Sequence, residues 1–214
     1  MRAWMPMSAA SIAAQRPAGA DEDVHFPEEL VAEILAEYTA PGDRVLDPFA
    51  GFGTTLVVAE RMARRAVGVE LLDERVRLIR ARLTGDAQVV NGDTRHLAAV
   101  VTGPFDLCLT SPPYMASADP ENPLTAYETL DAHYGKYLAE IGDVFRQVVD
   151  LLRPGGHLVI NVANIKVGDA FTPLAWDMAR VVAAHIPLSH EVFLCWDEQP
   201  EELTGDYCLI FTKP

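Results

Sequence analysis

Ser111-Pro112-Pro113-Tyr114 follows directly on the apolar run 105–110. A hydroxyl, two stiff prolines and an aromatic ring in succession suit the presentation of one polar group to a flat substrate. The run before them reads as a buried strand, so the tetrapeptide falls at its carboxyl end, the edge where open α/β sheets bind ligands. Taken alone, these four residues are equally an ordinary Pro-Pro loop with a tyrosine packed on it. Three acids shift that balance. Asp47 closes an earlier short strand and opens Asp47-Pro48-Phe49-Ala50-Gly51-Phe52-Gly53-Thr54-Thr55, Glu70 closes a second strand, and Asp93 follows a third. The glycines allow a tight turn and close approach of the backbone to a ligand. Glu70, 23 residues after Asp47, stands where a ribose-binding carboxylate belongs.

A nicotinamide-binding turn is the first competitor. Its third glycine is missing, since Leu56 takes that position, and an acid at Asp47 is a poor neighbour for a pyrophosphate. That acid suits a cofactor carrying positive charge. S-adenosylmethionine has an ammonium and a sulfonium and no phosphate, and Asp93 is then placed to accept from its adenine amino group.

The elements that must hold these residues alternate along the chain. The segment 27–38 is an amphipathic helix with Pro27 in its first turn and acids beside it, and Leu30, Ile34 and Leu35 recur on one face. Strands follow at 44–47, 66–70, 87–90, 105–110 and 157–162, with helices at 54–64, 73–83, 127–152 and 173–185. Strands at 191–196 and 207–212, joined by an acidic loop, read as an antiparallel hairpin. This pattern predicts a doubly wound, Rossmann-like α/β sheet, mostly parallel, with a C-terminal antiparallel hairpin. Residues 1–24 show no periodicity and read as a loose arm, leaving 25–214 as a single domain.

The stretch from Phe26 to about Leu83 resembles the core of the amino-directed DNA methyltransferases, the N4-cytosine and N6-adenine enzymes. The resemblance rests on Phe26-Pro27-Glu28-Glu29-Leu30, on 45–55 with its Asp-Pro-Phe-x-Gly-x-Gly-Thr-Thr, on Gly68-Val69-Glu70, and on the tetrapeptide 64 residues after Asp47. It implies a class I methyltransferase sheet that binds S-adenosylmethionine. Phe26 and Pro27 would lie along the methionine part, and Asp47, Pro48, Phe49, Gly51, Gly53, Thr54 and Thr55 would line the cofactor. Glu70 would hold the ribose and Asp93 the adenine end. Phe52 stands where the family often has serine, a departure expected to crowd the pocket. The resemblance makes Ser111, Pro112, Pro113 and Tyr114 the catalytic residues. An exocyclic amine on an aromatic ring is a poor nucleophile because its lone pair is delocalised. Hydrogen bonds accepted from its N–H groups by Ser111 Oγ and the Pro112 carbonyl favour a pyramidal nitrogen, and Tyr114 offers a stacking face to a base flipped from its helix. Serine in first position resembles the cytosine-N4 enzymes more than the adenine ones. Related Pro-Pro-Tyr sequences in RNA guanine-N2 and protein glutamine-N5 methyltransferases keep those substrates open, as does a non-catalytic partner subunit.

Composition argues against autonomous DNA binding. The chain of 214 residues carries 17 Lys and Arg against 31 Asp and Glu, a net charge of −14, which opposes attraction to phosphate backbones. A nucleic-acid substrate, DNA before RNA, is therefore expected together with a partner subunit or homodimer that supplies target recognition. Cys108, Cys195 and Cys208 fall in apolar runs whose spacing matches no metal motif. No run reaches membrane-spanning length, so the expected compartment is the reducing cytoplasm.

Overall fold

The computed structural model describes residues 3–17, 20, 27–126, 133–198 and 202–214. Five parallel strands form one side of a mixed sheet: β2 (Arg44–Asp47), β3 (Arg65–Glu70), β4 (Gln88–Asn91), β5 (Phe105–Thr110) and β6 (Leu152–Val167). The order across the sheet is β4-β3-β2-β5-β6, continued by β9 (Leu203–Thr212), β8 (Leu188–Trp196) and β1 (Trp4–Met7). β9 runs antiparallel to both β6 and β8. A short β7 (Ala170–Thr172) folds back antiparallel on the far end of β6.

Alternation along the strands divides the core into two layers. Val45, Leu107, Leu109 and Val159 face α2 (Glu28–Tyr38), α3 (Thr54–Arg61) and α4 (Asp73–Arg82). Leu46, Cys108, Leu158 and Ile160 face the other layer, formed by α5 (Leu97–Val100), α6 (Tyr134–Leu151) and α7 (Leu174–Ala183). The buried residues of α6 include Tyr137, Leu138, Ile141, Val144, Phe145 and Val148, the spacing of one helical stripe. In α2, Glu28 and Glu29 complement the positive helix end, and Leu30, Val31, Ile34 and Leu35 are fully buried. Burying each such side chain stabilises the fold by about 1.5–3 kcal/mol.

Two expectations are corrected. The N-terminal segment is not a loose arm throughout. Residues 4–7 form the parallel edge strand β1 on β8, Met7 is buried, and a helical turn α1 (Ala9–Ala14) follows. Four residues are too short to show a period, and an edge strand tolerates Pro6 because its other side needs no ladder hydrogen bond. The fifth parallel strand also runs well past 162, to Val167, because β9 and β7 together supply partners for its extension. The first part of the helix expected over 127–152, residues 127–132, lies outside the described residues, as does Phe26.

Candidate active site

Asp47, Glu70, Asp93 and Ser111 all stand at or just beyond the carboxyl ends of adjacent parallel strands. Asp47, the last residue of β2, is 2% exposed. Its Oδ1 accepts from the Thr110 hydroxyl at 2.7 Å and from the Phe49 amide at 3.2 Å. Thr55 Oγ1 is buried nearby but reaches no partner with good geometry. Burial lifts the Asp47 carboxyl to about 6 against the pull of those hydrogen bonds, and the Glu70 carboxylate adds to the rise. The Thr110 bond ties the glycine turn directly to the strand that carries the tetrapeptide.

Gly53 holds the turn in shape. Its φ of +81° is left-handed, and a Cβ there would lie 2.9 Å from the Ile79 side chain, so only glycine lets α3 start against α4. Thr54 and Thr55 are buried at that helix start, Gly51 is also left-handed, and the Pro48 carbonyl accepts from the Thr94 hydroxyl. Phe49 packs edge-on to Phe145, with ring centroids 6.5 Å apart. Phe52 does not crowd this turn. Its ring lies under the Arg75 guanidinium and its carbonyl accepts from Arg82, so it faces α4.

Glu70 is 7% exposed, and burial raises its pKa. Its two oxygens accept from the Gly51 and Leu72 amides, each at 2.9 Å. A carboxylate oxygen has a second lone pair, so both oxygens keep capacity for hydroxyl donors. Asp93 is more occupied. Arg95 binds its carboxylate through Nε, Nη2 and the backbone amide, at 2.6–3.0 Å. Burial works to raise the Asp93 pKa, and the Arg95 bonds outweigh it and hold the group low. Pro27 is buried and precedes the first turn of α2.

The tetrapeptide is pinned from behind. Tyr137 of α6, fully buried, donates to the Pro113 carbonyl at 2.8 Å. Pro112 is buried, and beyond Tyr114 the Ser117 amide donates to Thr172 at 2.9 Å. Tyr114 is half-buried and packs against the α6–α7 layer. Burial pushes its phenol well above the usual value. The Asp206 carboxylate adds to that rise, and a hydrogen bond with the Ser111 side chain opposes it. Part of the Tyr114 ring is covered by that packing. Tyr134 binds Asp177 on α7 at 3.0 Å and serves the packing of α6.

Sequence reasoning did not single out Tyr137, Asp206 or Trp196. Asp206 is 4% exposed and lies inside β9, where the strand begins at Leu203 rather than at 207. An acid continuous with a strongly apolar strand was the available signal.

Residues 13–81 match the family model described as a DNA methylase. The chain resembles the DNA methylases over this stretch. The type II methyltransferase M2.DpnII of Streptococcus pneumoniae is 43% identical over 60 residues, which are 28% of this chain and 22% of that enzyme. The match therefore spans under a quarter of that methyltransferase's length. TrmN from Thermus thermophilus superposes with a TM-score of 0.67, covering 96% of this chain and 52% of TrmN at 20% identity. An S-adenosylmethionine-dependent methyltransferase from Clostridium acetobutylicum gives 0.61, covering 89% and 93% at 12% identity. The fold is that of the class I S-adenosylmethionine methyltransferases, and the stretch that matches the DNA methylase model takes in β2, β3 and their helices. Among the described residues no helix is long and apolar enough to cross a membrane.

Proposed function

We propose that the chain is an S-adenosylmethionine-dependent methyltransferase acting on an exocyclic amino group of a nucleobase, with cytosine N4 of DNA as the substrate. The observation that carries this reading is the Asp47–Thr110 hydrogen bond, which joins a buried, cation-seeking carboxylate at the glycine turn to the strand presenting Ser111-Pro-Pro-Tyr114. The similarity of residues 13–81 to DNA methylases supports the nucleobase, and serine at 111 supports cytosine over adenine.

The residues present fit the cofactor. Asp47 is a buried acid with no cation of its own among its hydrogen-bond partners, and Thr55 Oγ1 is an unpartnered polar atom beside it. Asp47, Pro48, Phe49, Gly51, Gly53, Thr54 and Thr55 would line the bound molecule, with Pro27 and Phe26 along its methionine end. Glu70 would take the ribose hydroxyls through its free lone pairs. Asp93 would take the adenine end while sharing its carboxylate with Arg95. When bound, S-adenosylmethionine supplies an electrophilic methyl group.

The chain's own contribution is positional. Ser111 Oγ and the Pro112 carbonyl accept from the amine N–H groups and free its lone pair for in-line attack. The two prolines and the Tyr137 bond to Pro113 hold those acceptors still, so the rate gain comes mainly from orientation. Serine is too weak a base to take the proton first, so it leaves the nitrogen after transfer, to water. The net charge of −14 supports a partner subunit or second copy that supplies the cationic surface for DNA.

The test offers methyl-labelled S-adenosylmethionine with DNA, total RNA or protein extract in separate reactions. Label is expected in DNA, on cytosine. Ser111→Ala should lower methyl transfer while leaving cofactor affinity nearly unchanged. If affinity falls as far as rate does, Ser111 belongs to the cofactor pocket and its assigned role is wrong.

A further inference from the structure

A second polar group stands beside the tetrapeptide. Thr110 of β5 pairs with Ile160 of β6, so the next residues in register, Ser111 and Asn161, are neighbours at the same sheet edge. Asn161 pairs across to Cys208 on β9, and Asp206 pairs with Ala163, which puts Asn161, Cys208 and Asp206 on one face of the β6–β9 ribbon. These registers run from Ser111 on β5 through Asn161 on β6 to Cys208 and Asp206 on β9. One neighbourhood thus holds all of them.

The orientation of the Asn161 amide is fixed by chemistry. Its Nδ2 donates to Asp206 Oδ1 at 2.6 Å and to the Tyr207 carbonyl at 3.2 Å. Both partners are pure acceptors, so the nitrogen must face them and the side-chain oxygen must face away. That oxygen makes no hydrogen bond among the described residues, yet it is not sealed in the core, where Thr55 Oγ1 alone is buried and unpartnered. Asp206 is itself held on its other oxygen by the Trp196 indole, whose Nε1 donates to Oδ2 at 2.9 Å. A buried carboxylate carrying one amide and one indole is a costly arrangement for packing alone. Its effect is to leave Asn161 Oδ1 as a rigid, outward acceptor one strand over from Ser111.

We propose that Asn161 is a catalytic residue whose Oδ1 accepts a hydrogen bond from the substrate amino group alongside Ser111, with Asp206 and Trp196 as its positioning residues. The inference rests on the amino-methylation reading and deepens it. Serine has a short side chain, and an amide from the neighbouring strand reaches where that hydroxyl does not. An amine has two N–H groups: the Pro112 carbonyl takes one, and Ser111 Oγ and Asn161 Oδ1 converge on the other.

The test compares wild type, Asn161→Ala, Asn161→Asp and Asp206→Asn in single-turnover methyl transfer to the substrate that wild type labels, with cofactor affinity and melting temperature measured on each. Asn161→Ala should lose roughly 10- to 100-fold in rate with cofactor affinity unchanged. Asn161→Asp should recover part of that loss, because one proton shared with Asp206 leaves the outer oxygen free to accept. Asp206→Asn gives Asn161 a partner that both donates and accepts, so the amide loses its unique orientation and the rate falls several-fold without a matching loss of fold. A rate for Asn161→Ala within about twofold of wild type overturns the proposal. A fall in cofactor affinity that matches the fall in rate also overturns it, by moving Asn161 to the cofactor. If wild type labels no substrate, the amino-methylation reading itself falls and this acceptor role falls with it. An active wild type with an unaffected Asn161→Ala removes the acceptor role alone.

Discussion

Asp47→Asn isolates the charge on which the cofactor reading depends. The carboxyl is 2% exposed and burial lifts it from 3.8 to about 6. A gap of about two units corresponds to ~3 kcal/mol. Its sign follows from the folded protein holding the proton more tightly than the unfolded chain. The cost of ionising Asp47 is absent below about pH 4, grows as pH rises to about 6, and is complete at pH 7. Asparagine has the same shape, carries no charge, and its Oδ1 still accepts from Thr110. Its Nδ2, placed in a site built for an acceptor, costs about 1–2 kcal/mol if unpaired. The variant is therefore expected to be less stable than wild type at pH 4 and more stable at pH 7. The swing between the two, about 3 kcal/mol, does not depend on the size of that penalty. It corresponds to roughly 6–12 °C in the difference of melting temperatures for a chain of this size. Scanning fluorimetry of the cofactor-free proteins from pH 4 to 8 reads it. A difference that stays constant with pH would refute the claim that Asp47 ionises at a cost in the fold.

The same charge governs ligand binding. A cationic cofactor needs Asp47 ionised, so wild-type affinity for S-adenosylmethionine should fall as pH drops through about 6, by at most tenfold per unit. In Asp47→Asn the affinity should be weaker at pH 7 and nearly flat over that range. Adenosine, which carries no positive charge, should bind both proteins alike. Equal losses for adenosine and S-adenosylmethionine would mean that the substitution had disturbed the turn rather than removed a charge.

Tyr137→Phe removes the donor to the Pro113 carbonyl. It should destabilise the protein by about 1 kcal/mol and lower methyl transfer several-fold with cofactor affinity intact; an unchanged rate would show that the prolines alone hold the loop. Deleting residues 2–8 strips β1 from β8 and uncovers a long edge strand. The shortened chain should melt lower and self-associate, with faster amide exchange at Phe193 and Asp197, whose N–H groups donate to Ala3 and Met7; unchanged exchange there would place β1 outside the cooperative fold.

The glycine turn and the strand ends were legible because each depends on local chemistry. Gly53 must be left-handed, Asp47 must end a strand, and Val45 and Leu46 must face opposite layers whatever the rest of the chain does. The insertion of β9 between β6 and β8 was not legible, since a hairpin in sequence does not say which of its strands joins the parallel sheet. Arg95 stood two residues from Asp93 in the sequence, but only the helical turn begun at Asp93 folds the guanidinium onto the carboxylate. Asp206 was hidden by boundary placement. Reading β9 from 207 put the acid in a loop, where an unpaired carboxylate needs no explanation.

Four carboxylates, Asp47, Glu70, Asp93 and Asp206, gather along this edge, answered by Arg95 hydrogen-bonded to Asp93 and by the Arg75 charge acting on Glu70. Under the proposed reaction that imbalance acts twice. Transfer of the methyl group converts a sulfonium into a neutral thioether, so a field of acids favours the reactant cofactor over its product and eases exchange after each turnover. The same field repels phosphate, most strongly at low salt where screening is weakest. A base must then enter with its backbone held away from Asp206 and Asp93. A flipped base meets that condition, because only the neutral ring passes between the acids to Ser111, while the phosphates stay outside on whatever cationic surface a partner or second copy provides.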